Sequence, residues 1–276
     1  VAGLADALTR PLVADGSEVL LRHIPHRVAS TIAAVDRASI ARRPCFLCAA
    51  NLPPEQQGLA WADGFTLLCN PFPIVERHLT VVHREHLPQR IEGQVGTMLD
   101  LAAALPGFFV VYNGPQCGAS APDHLHLQAG SRDGLPIVRE AAATAGPALE
   151  ARGMRALLFR GPDRSRVLGE TERALALLAA VTGGGPEPLC NVSVWAEPAS
   201  GFSLVLFPRG KHRPDAFHSG ELAVSPASID MSGILVAPFP KDFERLSGED
   251  VAAVYREVTI PEAPFRDVLA RLEVSR

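Results

Sequence analysis

Two histidines and a glutamine occupy alternate positions in His124-Leu125-His126-Leu127-Gln128. On an extended strand alternate side chains share a face, so His124, His126 and Gln128 point one way and Leu125 and Leu127 the other. The leucines can anchor the strand in a core while the polar groups line a site. Directly upstream is a turn-rich segment with Asn113, Gly114, Gly118 and Ser120, whose free backbone N–H groups suit a phosphate. His126, between apolar neighbours, is placed to have one ring nitrogen tied to a backbone carbonyl and the other free to attack phosphorus. Near its ordinary pKa an imidazole is mostly neutral at physiological pH, as a nucleophile must be. Gln128 can donate a hydrogen bond to a phosphate oxygen but cannot act as a general acid. The plain alternative is a coincidental polar strand face, and the loop directly ahead of the strand argues against it.

A second constellation is Cys45-Phe46-Leu47-Cys48, two soft ligands on a tight turn and the usual first half of a zinc site. Two further ligands are needed, and His86 and His124 are the candidates, with His83 an alternative to His86. A buried pair of free thiols or a redox pair is the competing reading. The chain has no second Cys-x-x-Cys, which disfavours a zinc ribbon, and Pro53-Pro54 breaks the helix a thioredoxin-like site would need.

The elements that must position these groups follow from pattern and punctuation. Phe65 to Cys69 and His78 to His83 read as strands, separated by the strand-breaking Asn70-Pro71-Phe72-Pro73. Ile91 to Leu105 has helical spacing up to Pro106, and Phe108 to Tyr112 is a β-type run feeding the candidate phosphate loop. Pro136 to Gly153 is Ala-rich and helical in part. Glu170 to Val181 reads as a helix closed by Gly183-Gly184-Gly185-Pro186. Asn191 to Trp195 and Phe202 to Phe207 form a strand pair that runs into the basic turn Pro208 to Pro214.

The chain repeats itself faintly. Leu79 to His86 and Phe202 to His212 are both apolar strands ending in a basic turn with His, and Val224 to Pro238 takes the place of the loop and histidine strand without a His. This predicts an α+β fold, an antiparallel sheet with flanking helices in two degenerate halves, residues 1–145 catalytic and 146–276 lacking the catalytic residues.

Composition narrows the function. At 276 residues, 47% hydrophobic and 20% charged, the chain is an ordinary globular sequence with a substantial core. A net charge of −4 disfavours a general nucleic-acid binder. The longest apolar stretch, Leu101 to Tyr112, is interrupted by Pro106 and Gly107, so no membrane span is expected. The first residues lack the layout of a signal peptide. Five cysteines, an odd number, fit a reduced cytoplasmic protein with a metal or redox pair.

The segment Asn113 to Gln128 resembles the active-site stretch of the histidine-triad superfamily. It is most similar to the His-x-His-x-Gln branch, which holds galactose-1-phosphate uridylyltransferases, diadenosine tetraphosphate phosphorylases and plant GDP-galactose phosphorylases. The similarity runs from about Arg43 to Gly130 and is weak in the second half. It implies that His126 is the nucleophile forming a covalent nucleotidyl-histidine. Gln128 would replace the last histidine of the hydrolase branch and support the intermediate, and Asn113, Gly118 and Ser120 would contact phosphate. Asn70 falls where the superfamily places a ribose-binding acid or amide. Cys45, Cys48, His86 and His124 match a structural zinc site. Members of the branch dimerise, so a homodimer is an expectation. Leu125 stands where the uridylyltransferases have Pro, and counterparts of their hexose-binding residues are missing.

The resulting expectation is a nucleotidyltransferase or phosphorylase acting on a nucleotide or dinucleoside polyphosphate, with a phosphate-bearing acceptor. His126, Gln128 and Ser120 carry the chemistry, and Lys211, with His212 and Arg213, supplies positive charge for phosphate. The alternatives are a hexose-1-phosphate uridylyltransferase-like enzyme, a zinc-dependent phosphohydrolase ligating its metal through His124 and His126, and a non-catalytic nucleotide-binding protein.

Overall fold

Hydrogen bonds join nine antiparallel strands into one continuous sheet, and a second sheet of three covers part of one face. The computed structural model describes residues 4–62, 64–183, 185 and 187–274. Gly184 and Pro186 of the glycine run, and Val1 to Gly3, lie outside the described residues.

The chain begins with a hairpin, β1 (Leu8–Ala14) and β2 (Ser17–His23). Its two-residue turn is Asp15-Gly16, with φ of 47° and 76°, the positive pair that Asp-Gly adopts at least cost and that matches strand twist. The nine strands of the large sheet follow. They are β3 (Gly58–Trp61), β4 (Phe65–Cys69), β5 (Leu79–His83), β6 (Phe108–Asn113), β7 (His126–Ser131), β8 (Ala148–Ala151), β9 (Met154–Gly161), β10 (Cys190–Glu197) and β11 (Gly201–Pro208). Their spatial order is β3-β4-β5-β7-β6-β10-β11-β9-β8. Last comes β12 (Ile234–Ala237), which pairs in parallel with β2.

The α+β expectation holds. The order β4-β5-β7-β6, with the helix Gln94–Ala104 between β5 and β6, recurs as β8-β9-β11-β10 around the helix Arg164–Thr182. The units meet where β6 pairs with β10. In this order β11 answers to β7, not to β5 as the basic-turn similarity suggested. Residues 224–238 do not replace the histidine strand either, because β12 belongs to the smaller sheet. That segment was misread because a short apolar run shows nothing of its partner. β11 has neither His nor Gln.

The helix Gln94–Ala104 buries Val95, Met98, Leu99 and Ala102 at helical spacing, and the chain leaves it just before Pro106. The helix Arg164–Thr182 starts six residues earlier than its apolar pattern indicates. The Asp163 side chain accepts from the N–H groups of Ser165 and Arg166, and Gly183 closes the helix at φ 66°. Both helices pack with Glu262–Glu273 on one face of the large sheet, over Val81, Val110, Leu125, Leu127, Leu157, Val192 and Leu204. The other face packs Phe109, Val111, Trp195 and Val205 with the smaller sheet and the helix Gly248–Val258. The strand pleat thus puts Leu127 in the helical core and leaves His126 and Gln128 on the opposite face.

Candidate active site and metal centre

β7 begins at His126, two residues later than the alternating pattern places it. His124 precedes the strand because its N–H closes a turn onto the Ala121 carbonyl, while Leu125 bonds outward to Leu87 and His83. The two histidines consequently serve different places. His124 turns to the cysteines, and His126 lines a cavity of about 670 Å³.

Cys45, Cys48, His86 and His124 offer ligand atoms that all lie within 4.8 Å of one another. Cys45 Sγ is 3.3 Å from His124 Nδ1, and Cys48 Sγ is 3.2 Å from His86 Nδ1 and 3.6 Å from His124 Nδ1. A tetrahedral ion with metal–sulfur bonds of about 2.3 Å and metal–nitrogen bonds of about 2.0 Å has sulfur–nitrogen edges of roughly 3.5 Å. The cluster fits a metal ion of this kind. His124 Nε2 donates to the His83 carbonyl at 2.7 Å, which fixes the tautomer with Nδ1 facing the thiols. His86 therefore completes the set. His83 contributes its carbonyl to His124, and its own ring Nδ1 accepts from the Glu85 N–H.

His126 is gripped on three sides. Its ring Nδ1 donates to the His124 carbonyl at 2.8 Å, leaving Nε2 with its lone pair. Its backbone N–H donates to Gln89 Oε1 at 2.8 Å, and Gln89 Nε2 donates to the carbonyls of both His126 and Asn113. Burial holds the His126 pKa below its usual value, so the imidazole is neutral.

Gln128 lines the same cavity, and its Oε1 accepts from His78 Nε2 at 2.8 Å. Asn113 Oδ1 accepts from the Ser228 N–H and from Asn191 Nδ2, so the Asn113 amino group is the end left for the cavity. Gly118 has φ 96°, and a Cβ there would overlap that of Ala227, so this loop position needs glycine on both counts. Ser120 also lines the cavity, and its carbonyl accepts from Arg43, which pairs with Asp123. Asn70 reaches the cavity wall with its amide engaged, Oδ1 accepting from the Phe72 N–H and Nδ2 donating to Thr80.

One expected phosphate-binding residue is elsewhere. Lys211 does not line the cavity, and its ammonium is held by Asp215 and Glu257 at 2.7 and 2.6 Å. The neighbouring His212 and Arg213 do reach the cavity, and Arg27 joins them. Asp230 is the one acidic residue lining it among the described residues, and both its carboxylate oxygens accept backbone N–H groups. With Arg27, Arg43 and Arg213 against it, the cavity is electropositive in an acidic protein.

Sequence reasoning missed Arg27, His78, Gln89, Asn191 and Arg209. Arg209 is buried, and its five N–H groups all donate to carbonyl or amide oxygens, among them Asn191 Oδ1 and Pro226 O. His78 was visible only as the first residue of a strand, and nothing in the sequence showed that its ring meets Gln128.

A family model described as a domain of unknown function, DUF4922, matches residues 2–131, a little under half of the chain. No curated protein matches the sequence. Among solved structures, yeast Ap4A phosphorylase Apa2 is similar with a TM-score of 0.65 at 18% identity, over 92% of this chain and 90% of that one. Its complex with Ap4A gives 0.62 at 17% identity, over 92% and 90%. Its complex with AMP gives 0.65 at 16% identity, over 93% and 89%. The fold is that of Ap4A phosphorylase. This likeness in fold covers nearly the whole chain, where the sequence resemblance runs only from about Arg43 to Gly130. Within this Ap4A phosphorylase fold, the face of the sheet opposite the helices Gln94–Ala104 and Arg164–Thr182 carries the cavity at β7. Among the described residues, no helix is long and apolar enough to cross a membrane.

Proposed function

We propose that the protein is a nucleotidyltransferase or phosphorylase that acts on a nucleotide or dinucleoside polyphosphate by double displacement through His126. One observation carries this reading. The His126 Nδ1–H is committed to the His124 carbonyl, so the bare Nε2 is the nitrogen available in an electropositive cavity.

In the first step Nε2 attacks the α-phosphorus, a P–N bond forms, and the bond to the leaving phosphate oxygen breaks. A phosphate leaving group departs as an anion and needs no general acid. The His124 carbonyl stabilises the positive charge that develops on the ring. The amino groups of Asn113 and Gln128, with Ser120 and the loop at Gly118, would donate to the nonbridging oxygens as their charge grows. In the second step an oxygen of a phosphate-bearing acceptor attacks the same phosphorus, and the P–N bond breaks to return the neutral imidazole. Arg27, His212 and Arg213 are the groups suited to the acceptor or leaving phosphate.

The cofactor in this reading is a structural zinc ion on Cys45, Cys48, His86 and His124. Four protein ligands leave no open position, and zinc would hold the Cys45–Cys48 turn against the start of β7. A phosphohydrolase with His126 as a metal ligand is disfavoured, because His126 is outside the cluster. The first half, residues 1–145, would carry the chemistry. The second, 146–276, would supply support through Asn191 and Arg209 and the cavity wall around Arg213. That the similar Apa2 structures were obtained with AMP and Ap4A supports a nucleotide substrate.

The test is intact-protein mass spectrometry after mixing with a panel of nucleotides and dinucleoside polyphosphates. An adduct of nucleoside-monophosphate mass that vanishes in His126→Ala supports the proposal. No adduct and no turnover with any member of the panel would remove it.

A further inference from the structure

We propose that His78 is a positioning residue that acts through Gln128, fixing which end of the Gln128 amide meets phosphate. This rests on the reading of Gln128 as a phosphate-facing group.

A glutamine amide presents an acceptor at one end and donors at the other, and rotation by half a turn exchanges them. A phosphate tolerates only the donor end. Nothing in Gln128 alone makes that choice, and two hydrogen bonds made by the His78 ring do. The Ile74 N–H donates to His78 Nδ1 at 3.0 Å. A backbone amide can only donate, so Nδ1 must be the bare nitrogen and Nε2 must carry the proton. His78 Nε2–H then donates to Gln128 Oε1 at 2.8 Å. With its oxygen held, Gln128 can offer the cavity only its NH₂ group.

Two features keep the device in one state. His78 is buried in the loop before β5, across from β7, where Thr80 pairs with Gln128. Burial, and then the nearby Arg27 charge, pushes its pKa down to about 3. A protonated ring would lose the bond from Ile74, and burial opposes that state at any pH near neutrality. His78 does not line the cavity, so its effect must pass through Gln128.

The test is a double-mutant cycle on the rate of His126 adduct formation, with an NMR readout of the Gln128 side-chain amide. His78→Phe keeps a buried ring and removes both ring nitrogens. In the Gln128 background it should slow adduct formation by roughly 10- to 100-fold, the scale of losing one oriented donor to a developing anion. In a Gln128→Ala background the same change should alter the rate by less than about twofold, because the group it acts through is gone. His78→Gln supplies an acceptor and a donor in one planar amide, so it should recover most of the rate, and it serves the cycle if His78→Phe does not fold. Equal fold-losses in both backgrounds would overturn the proposal.

The NMR arm needs no turnover. The Gln128 amide protons of the wild type should move on His78 substitution, and unchanged signals would also overturn the proposal. Absence of any adduct in the wild type would instead count against the nucleotidyl-transfer reading, with the NMR arm still deciding the role of His78.

Discussion

The side-chain amide of Asn191 donates to Oδ1 of Asn113 across 2.9 Å, joining the C-terminal half to the candidate phosphate loop at a buried contact. The same amide donates to the Cys117 carbonyl inside that loop, and Asn191 Oδ1 accepts from buried Arg209. Asn191 and Ser228 thus set the orientation of an amide that lines the same cavity as His126. Asn191→Leu would leave the Cys117 carbonyl and an Arg209 N–H unpaired, at a cost of about 1–3 kcal/mol for each buried group orphaned. Denaturant unfolding should show that loss. In the protein that remains folded, adduct formation should slow several-fold, because Asn113 keeps only the Ser228 N–H to hold its amide. A stability loss with an unchanged rate would confine Asn191 to the core.

The candidate metal ligands bring the Cys45–Cys48 turn together with His86 and with His124 at the threshold of β7. Chelation at neutral pH should lower the melting temperature, and elemental analysis of the purified protein should find one zinc per chain. Because the ion would be structural, residual activity after chelation should track the folded fraction, and Cys48→Ser should behave the same way. Activity lost with no change in melting would point to a metal in the chemistry.

Two buried groups, His78 and Asp230, and the half-buried His212 give acid stability a calculable sign. Burial, then Arg27, pushes His78 down to about 3, and burial, then Arg213, pushes His212 down to about 4. In the unfolded chain both would bind protons near 6.5, so below that pH the unfolded state holds protons the folded state lacks, and stability falls. Asp230 works the other way. Burial raises its pKa to about 6 from 3.8, so the folded state binds the extra proton between those values and gains stability as pH falls. His78 alone should contribute a loss of about 1.4 kcal/mol per pH unit below 6.5. The stability difference between wild type and His78→Gln should shrink at that slope from pH 6 to pH 4, measured by urea unfolding. A pH-independent difference would show that the ring protonates in the folded state.

Substitution of Arg27, which lines the cavity, would separate a polyphosphate site from a plain monophosphate site. Its Nη1 donates to the Phe72 carbonyl, and its Nε has no partner among the described residues. Arg27→Gln should weaken a nucleoside triphosphate by roughly 10- to 100-fold, as expected for one charge-assisted contact. It should weaken the corresponding monophosphate by no more than a few-fold in calorimetric titrations. Equal losses for both would place Arg27 at the α-phosphate instead.

Much of the site was legible in the sequence, because its chemistry sits in contiguous residues with a strand period. His126, Gln128, Asn113, Gly118 and Ser120 all line the cavity, and loop and strand are consecutive in the chain. The cysteine pair and His86 could be proposed from residue type alone. What stayed hidden depends on contacts distant in sequence. Gln89 clamps the His126 backbone from 37 residues away, and Arg209 reaches Asn191 from a strand end. Lys211 looked like the phosphate ligand because its charge was visible and its partners Asp215 and Glu257 were not. The three-stranded sheet was missed for the same reason, since β12 pairs with β2 more than 200 residues earlier.

The central claim is that His126 Nε2 becomes covalently nucleotidylated. The most direct measurement is intact-protein mass spectrometry of the wild type and His126→Ala after brief exposure to a nucleotide and dinucleoside polyphosphate panel, followed by peptide mapping. The account predicts one nucleoside-monophosphate adduct per chain on His126, acid-labile as a P–N bond is, discharged by a phosphate-bearing acceptor and absent in His126→Ala. Turnover without any adduct, or an adduct that persists in His126→Ala, would contradict it.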